Sequence, residues 1–276
     1  MTALSSKAPP PSSNRERRRY VDGRFGQVHL RETGQGTPVL LIHQTPWSSL
    51  QFLRAAPLLA ARGLHAIAPD TPGYGLSDPP QTDPGIADYA DNLVSVLDAL
   101  GIVRAAIAGH HTGAMIALAF AARHPDRTLA VVADNAPCYT PQERAERLAR
   151  PPHANPVKPD GSHFTDRWAF MRKMADPDMS DEMIHLAVLT FFNNGSRHDL
   201  GHAAAYTHDL AADVAAIRCP VRLIASRTDP LFSHAARLLA LRPDFDAAEF
   251  PGGTATVLDN AALWAETVGS FIASRI

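Results

Sequence analysis

The chain has 276 residues, 45% of them apolar and 20% charged, with a formal net charge of −2. This is the ordinary balance of a globular protein with a sizeable core, and it excludes wholesale disorder. Near-neutral charge supplies no general attraction for nucleic acid or an anionic membrane, and no apolar run approaches the ~20 residues that span a bilayer.

Residues 1–17 are rich in Pro, Ser and Arg and carry no apolar stretch ahead of their charges. They read as a disordered arm rather than a secretory signal. The cluster Arg15, Arg17, Arg18 and Arg19 reads as a solvated lead-in to the first strand. Two short strands are expected at 18–23 and 26–32 around a glycine turn, and the apolar run 37–43 suits a strand buried on both faces. A helix is expected over 50–63 and a strand over 64–70. Thr71 to Gly85 holds four prolines and three glycines and is loop. A helix over 86–101, a strand over 104–109, a helix over 113–125 and a strand over 128–134 follow. Such alternation predicts a parallel sheet covered by helices on both faces.

The rhythm breaks after Asp134. Residues 138–212 hold helical pieces, prolines, aromatics and histidines but no convincing strand, which is the position of a helical cap. The pattern then resumes with strands at 220–226 and 246–250 and helices at 234–242 and 260–276. The expected organisation is therefore a core of 18–137 and 213–276 with a cap over 138–212. Two cysteines, Cys138 and Cys219, exclude a disulfide framework and favour a reducing, cytoplasmic compartment.

The strand at 104–109 runs into Gly109-His110-His111-Thr112-Gly113 and then into a helix. Glycines flank a central residue held in a sharp strand-to-helix turn, where Cβ atoms two positions either side would strike neighbouring backbone. With LLIHQTPWSS, APDTPGYGLSDPP, LIASRTDP and FPGGTATVLDNAALWAETVGSFI, this segment resembles the α/β-hydrolase superfamily over residues 18–276. The resemblance implies a mostly parallel sheet flanked by helices, a cap inserted after the sixth strand, and an active centre at the carboxyl ends of the strands.

The superfamily pattern places Ser, Cys or Asp at the elbow centre, where this chain has His111. The acid after the seventh strand maps onto Asp229. The histidine expected after Gly252-Gly253 is replaced by Thr254, and no histidine follows His234. One reading joins these departures. In an ordinary triad a histidine bridges the short serine to the acid. The longer ring of His111 can fill the space left at Thr254 and bond Asp229 directly, making a His-Asp dyad able to act as a general base. Its pKa is expected at or above ~6.5, with the carboxylate favouring the charged ring over desolvation. Asp134, at the end of the sixth strand, is the second choice of acid. A relic histidine in a fold that only binds ligand stands as the plain alternative.

His43 and Gln44 fall where the resemblance implies an oxyanion hole, together with the N–H of Thr112; His43 equally suits a turn anchor. His110 and Thr254 flank the same centre and are candidate substrate contacts. Ser48 and Ser49 read as turn residues, and Asp70, Gly73, Gly75, Ser77 and Asp78 as loop-holding ones. The cap carries His153, His163, His185, His198, His202 and His208. His198 and His202 have helical spacing, but no third ligand stands at a recognised spacing, so no metal is expected. Phe164, Trp168, Phe170, Phe191 and Phe192 offer packing surface and the wall of an apolar pocket. No P-loop or dinucleotide fingerprint is present, and no cofactor is expected. The resemblance implies an enzyme acting on a small organic molecule by hydrolysis of an ester, lactone, amide or carbon–carbon bond. A lyase or proton-transfer reaction on the same dyad is the alternative.

Overall fold

The computed structural model describes residues 15–151, 156–177, 179–194 and 198–276. Its centre is an eight-stranded sheet. In chain order come β1 (Arg17–Gly23), β2 (Gly26–Thr33), β3 (Thr37–Ile42), α1 (Ala55–Ala60), β4 (Leu64–Pro69), α2 (Ile86–Ala99), β5 (Ala105–His110), α3 (Thr112–Arg123) and β6 (Thr128–Asp134). Five helices follow: α4 (Pro141–Leu148), α5 (Ser162–Met174), α6 (Asp181–Asn193), α7 (Leu200–Thr207) and α8 (Leu210–Val214). The chain then closes with β7 (Val221–Ser226), α9 (His234–Leu241), β8 (Asp246–Phe250), α10 (Thr256–Asp259) and α11 (Ala261–Ala273). The strand order is β1-β2-β4-β3-β5-β6-β7-β8. β1 and β2 pair antiparallel, β2 meets β4 antiparallel, and every later pairing is parallel.

The apolar runs of β3, β5 and β6 have a direct cause. Leu40, Ile42, Ile107 and Val131 face the layer of α2 and α3, while Val39, Leu41, Ala108 and Val132 face the layer of Phe52, Trp264 and Phe271. A strand covered on both sides needs apolar residues at every position, not at alternate ones. β1 is different, being exposed along most of its length. It begins at Arg17, so the arginine cluster belongs partly to an edge strand. Arg19 pairs with Glu32 at 2.6 Å and Arg31 with Glu16 at 2.6 Å. Charge along an exposed edge discourages pairing with another chain.

The helix expected over 50–63 is instead a 3-10 turn at Ser49–Phe52 followed by the six residues of α1. Pro57 explains the break. It has no N–H to donate and is tolerated only within a first turn, so an α-helix cannot run through it from residue 50.

The helices between β6 and β7 divide by what they cover. Met183, Ile184, Ala187 and Val188 of α6 pack with Met179 onto Trp47, Ala255 and Leu258, closing over the loops that follow β3 and β8. Ala204, Ala205, Leu210 and Val214 of α7 and α8 instead join the core cluster beside α3. No helix among the described residues is long and apolar enough to cross a membrane.

The strand-to-helix turn after β5 fixes the position of everything around it. A Cβ added to Gly113 would lie less than 3.0 Å from the backbone of Ile42 and His43, and one added to Gly109 would lie as close to the backbone of Gly113. Gly113→Ala should therefore lower the free energy of unfolding by about 3 kcal/mol or more. Gly252→Ala, whose Cβ would meet Thr256 Oγ1 at an ordinary 3.4 Å, should change it little. Urea unfolding of the two variants beside the parent checks both outcomes.

Candidate active site

His111 stands at the crest of this turn with φ 49° and ψ −116°. Apart from Asn135, it alone among the described non-glycine residues has positive φ. Its N–H donates to the Asp134 carbonyl at 2.9 Å, and its carbonyl accepts from Met115 at 3.1 Å. The side chain is turned to the loop after β7. Nε2 lies 2.8 Å from Oδ2 of Asp229, which is 118 residues away in the chain. The Asp229 carboxylate is fully buried, whereas 19% of the His111 side chain is exposed. The other oxygen of Asp229 accepts the Leu231 N–H at 2.7 Å.

Burial opposes charge on Asp229, but the His111 ring, its hydrogen bond and the Leu231 N–H outweigh it and hold the carboxyl at about 2. A carboxylate ionised at neutral pH only accepts, so Nε2 of His111 is the donor. In the neutral ring the lone pair is then on Nδ1, which makes no hydrogen bond with the described residues. Enclosure of the ring lowers its pKa below 6.5, the adjacent His110 lowers it further, and Asp229 opposes both without prevailing. The expectation of a raised value is thereby corrected. It set the carboxylate above desolvation, which is in fact the larger effect, and did not count the second histidine.

His110 and His111 stack, with ring centroids 4.3 Å apart and planes 19° from parallel. Each takes its own acid. Nδ1 of His110 lies 2.9 Å from Oδ2 of Asp134, with both side chains fully buried. Asp134 is thus the partner of His110 and not of His111. Trp264 Nε1–H and Asn135 Nδ2–H also donate to the Asp134 carboxylate, at 2.9 and 3.0 Å. Burial opposes a charge on His110, but Asp134 and its hydrogen bond raise the pKa. Nε2 of His110 has no hydrogen-bond partner among the described residues. His110 is wholly enclosed, so it cannot touch a substrate and its candidacy as a substrate contact is corrected.

The loop after β3 also departs from expectation. The backbone N–H of Gln44 donates to Oε1 of Gln51 at 2.9 Å and is not available to an oxyanion. The N–H of Thr45, next in the chain, donates to no described acceptor, nor does that of Thr112 at the start of α3. Thr45 is the residue that sequence reasoning missed; only the long-range contact of Gln51 distinguishes it from Gln44. His43 is a turn anchor. Its Nε2 accepts the Thr71 N–H at 2.9 Å, so its Nδ1 carries the proton and donates to the Gln44 carbonyl at 2.8 Å. Burial lowers its pKa, and with both nitrogens occupied it is not an oxyanion donor.

Asp70 holds the neighbouring loops by accepting from Ser49 N at 2.6 Å and Leu76 N at 2.9 Å. Ser77 Oγ donates to the Asp70 carbonyl at 2.7 Å, and Asp78 accepts from Gln27 N at 2.8 Å. Gly73 and Gly75 take positive φ there. Ser48 accepts from Leu50 N at 3.3 Å within its own turn.

Gln44, Thr45 and Thr254 line a pocket of about 210 Å³ together with Arg167, Phe170 and Phe191 of α5 and α6. A larger cavity of about 350 Å³, bounded by His29, Asp70, Leu186 and Thr190, touches none of these. The Gly252–Gly253 turn before Thr254 is tied to the inserted helices, with Gly253 N donating to Asp176 at 3.1 Å. His198 precedes α7, so it does not share a helix face with His202. His202 bonds Asp199 at 3.1 Å, and His198 approaches it at 3.8 Å. Among the described residues no group of three potential ligands is placed to hold a metal ion. His153 lies outside the described residues. Phe191 is buried, Phe164 and Phe170 are half exposed, and Phe164 packs on Phe192 with ring centroids 4.5 Å apart.

An elbow closed by two glycines, an acid after β7 and helices inserted after β6 are the marks of one family. Residues 37–261 match the α/β hydrolase fold family. The chain belongs to it. It is 28% identical over 249 residues to a 2-(acetamidomethylene)succinate hydrolase of Mesorhizobium japonicum, covering 85% of this chain and 87% of that one. A shorter match, 36% over 108 residues, is to a 2-hydroxymuconate semialdehyde hydrolase of Pseudomonas putida, and it covers 38% of each chain. The crystal structure of E-2-(acetamidomethylene)succinate hydrolase superposes with a TM-score of 0.76 at 22% identity, over 94% of this chain and 99% of that one.

The buried histidines set the response of this α/β-hydrolase-fold chain to acid. His43, His111 and His234 all have lowered pKa values, that of His234 at about 4 through burial and the nearby Arg237. Each binds a proton more readily when unfolded. Their contribution to stability is present above about 6.5 and is lost as pH falls toward 4. His110, with a raised value, works in the opposite sense. Urea midpoints should fall between pH 6.5 and 4. In His234→Gln that slope should be shallower.

Proposed function

We propose that the chain is a cofactor-independent hydrolase of small carbonyl compounds in which His111 activates water as a general base. The observation that carries this reading is the 2.8 Å contact of His111 Nε2 with an ionised Asp229. It orients the ring, fixes the proton on Nε2 and leaves Nδ1 as the basic nitrogen. The activities of the relatives, hydrolases of a succinate derivative and of a muconate semialdehyde, agree in reaction class.

The step balances without a protein nucleophile. Nδ1 takes a proton from water as its oxygen bonds the substrate carbonyl carbon. The resulting oxyanion accepts hydrogen bonds from the N–H groups of Thr112 and Thr45. On collapse the bond to the leaving group breaks, and the imidazolium returns its proton to that group. Asp229 remains ionised throughout and stabilises the ring while it is charged. Burial of the ring, aided by His110 stacked behind it, favours its neutral form, the form a base requires. Thr254 takes the place of the usual histidine and borders the substrate pocket. A soluble cytoplasmic setting and the division into a core and a helical cap over 138–212 complete the proposal.

An activity screen over esters, lactones and diketones tests the reading. His111→Ala should lower the rate on the order of 10²–10⁴-fold. Product formed in ¹⁸O-labelled water should carry one labelled oxygen; turnover without label would instead favour the lyase or proton-transfer reading. The rate should hold at neutral pH and decline only below about 6.5, in keeping with the lowered pKa of His111. A fluorophosphonate should label no serine of the pocket. Stoichiometric labelling, or efficient turnover by His111→Ser alone, would show that the nucleophile lies elsewhere.

A further inference from the structure

Arg167 lies on α5 and lines the same pocket as Gln44, Thr45 and Thr254. Its guanidinium covers the ring of Phe191 at 3.5 Å and approaches that of Phe170 at 4.9 Å. No described carboxylate lies within 4 Å of it, and no described residue accepts a hydrogen bond from it; its Nε is wholly enclosed. Burial lowers its pKa to about 10, so it is cationic at neutral pH.

A partly enclosed cation with no described carboxylate in ion-pair contact is costly, and the Asp199 charge, which acts on it from beyond that distance, offsets only part of the cost. The aromatic contact answers only part of this need. Cation–π attraction uses the face of the guanidinium, whereas its N–H bonds radiate from the edge. That edge is a planar fork matched to the two oxygens of a carboxylate. Asp199 borders the same pocket, but its oxygens are engaged by His202 at 3.1 Å and approached by His198 at 3.8 Å. His198 and His202 line the pocket as well, and the rest of the wall is apolar, including Trp47, Met171, Met174 and Ala187. A volume of about 210 Å³ is below the ~300–1,000 Å³ common for drug-sized ligands.

We propose that Arg167 is a carboxylate anchor and that the substrate is a small organic acid with an apolar body. Its carboxylate sits on the Arg167 fork, and its reacting carbonyl reaches the Thr45 and Thr112 N–H groups. The placement of the carbonyl rests on the hydrolase reading above; the anion site does not.

Calorimetric titration with phenylacetate and with phenylacetamide, its neutral isostere, separates the two. The parent protein should bind the acid at least about tenfold more tightly than the amide. Arg167→Gln should abolish this preference while leaving amide binding unchanged. Arg167→Lys, which keeps the charge but not the fork, should retain only part of it. His111→Asn should keep the preference in full, so a failure of the catalytic reading leaves this result standing. The parent comparison decides the matter even where a variant does not fold. Equal affinity for acid and amide, no measurable binding of either, or an unchanged preference in Arg167→Gln overturns the proposal.

Discussion

The close approach of the start of α3 to the end of β3 is the constraint on which the rest of the site depends. Gly113 leaves no room for a Cβ against the Ile42 and His43 backbone, and Gly109 leaves none against Gly113. The chain can only pass from β5 into α3 by a sharp turn, and the residue at its crest takes a left-handed φ that a histidine adopts at a cost of about 1–3 kcal/mol. Surrounding structure must hold that conformation. The Asp134 carbonyl grips the His111 N–H, and Asp229 grips the ring. The same turn leaves the Thr112 N–H at a helix start, where intrahelical acceptors are lacking.

Two His-Asp pairs stand back to back here, and their electrostatics differ because their surroundings do. Asp134 receives three hydrogen bonds and holds His110 in a sealed pair. His111 keeps 19% of its side chain exposed and has only one acid contact. A charge on the sealed ring, 4.3 Å away, is felt strongly through low-dielectric surroundings. Enclosure of the outer ring and this neighbouring charge together push it toward neutrality although it touches a carboxylate. Adjacent histidines in one motif thus carry opposite shifts, and the outward one is suited to accept a proton.

Most of the fold was legible in the sequence, for reasons visible in particular elements. β3, β5 and β6 are covered on both faces and read as unbroken apolar runs, while the glycines at 109 and 113 mark the one turn that demands them. Pro57 was a local signal against the helical reading of 50–63, whereas elsewhere local pattern failed because a distant residue decides. Gln51 takes up the Gln44 N–H and leaves that of Thr45 without a described acceptor. Asp134 and Asp229 were both recognisable as acids at strand ends, but which histidine each serves depends on the direction of two adjacent side chains. Arg167 has no local signal at all, because Phe191 and the other residues that share its pocket come from distant parts of the chain.

The exchange of Ser for His at the elbow and of His for Thr after β8 is coherent as a single change of reach. A serine hydroxyl ends close to its Cα and needs a second side chain to communicate with the acid. The imidazole of His111 spans that interval itself, and its Nε2 arrives at hydrogen-bond distance from Asp229. A histidine retained at 254 would compete for the same carboxylate. The smaller Thr254 borders the pocket instead. Base and elbow then become one residue, and no side-chain hydroxyl or thiol occupies the crest. In the proposed reaction the nucleophile is water, which an oriented neutral imidazole can activate without a cofactor.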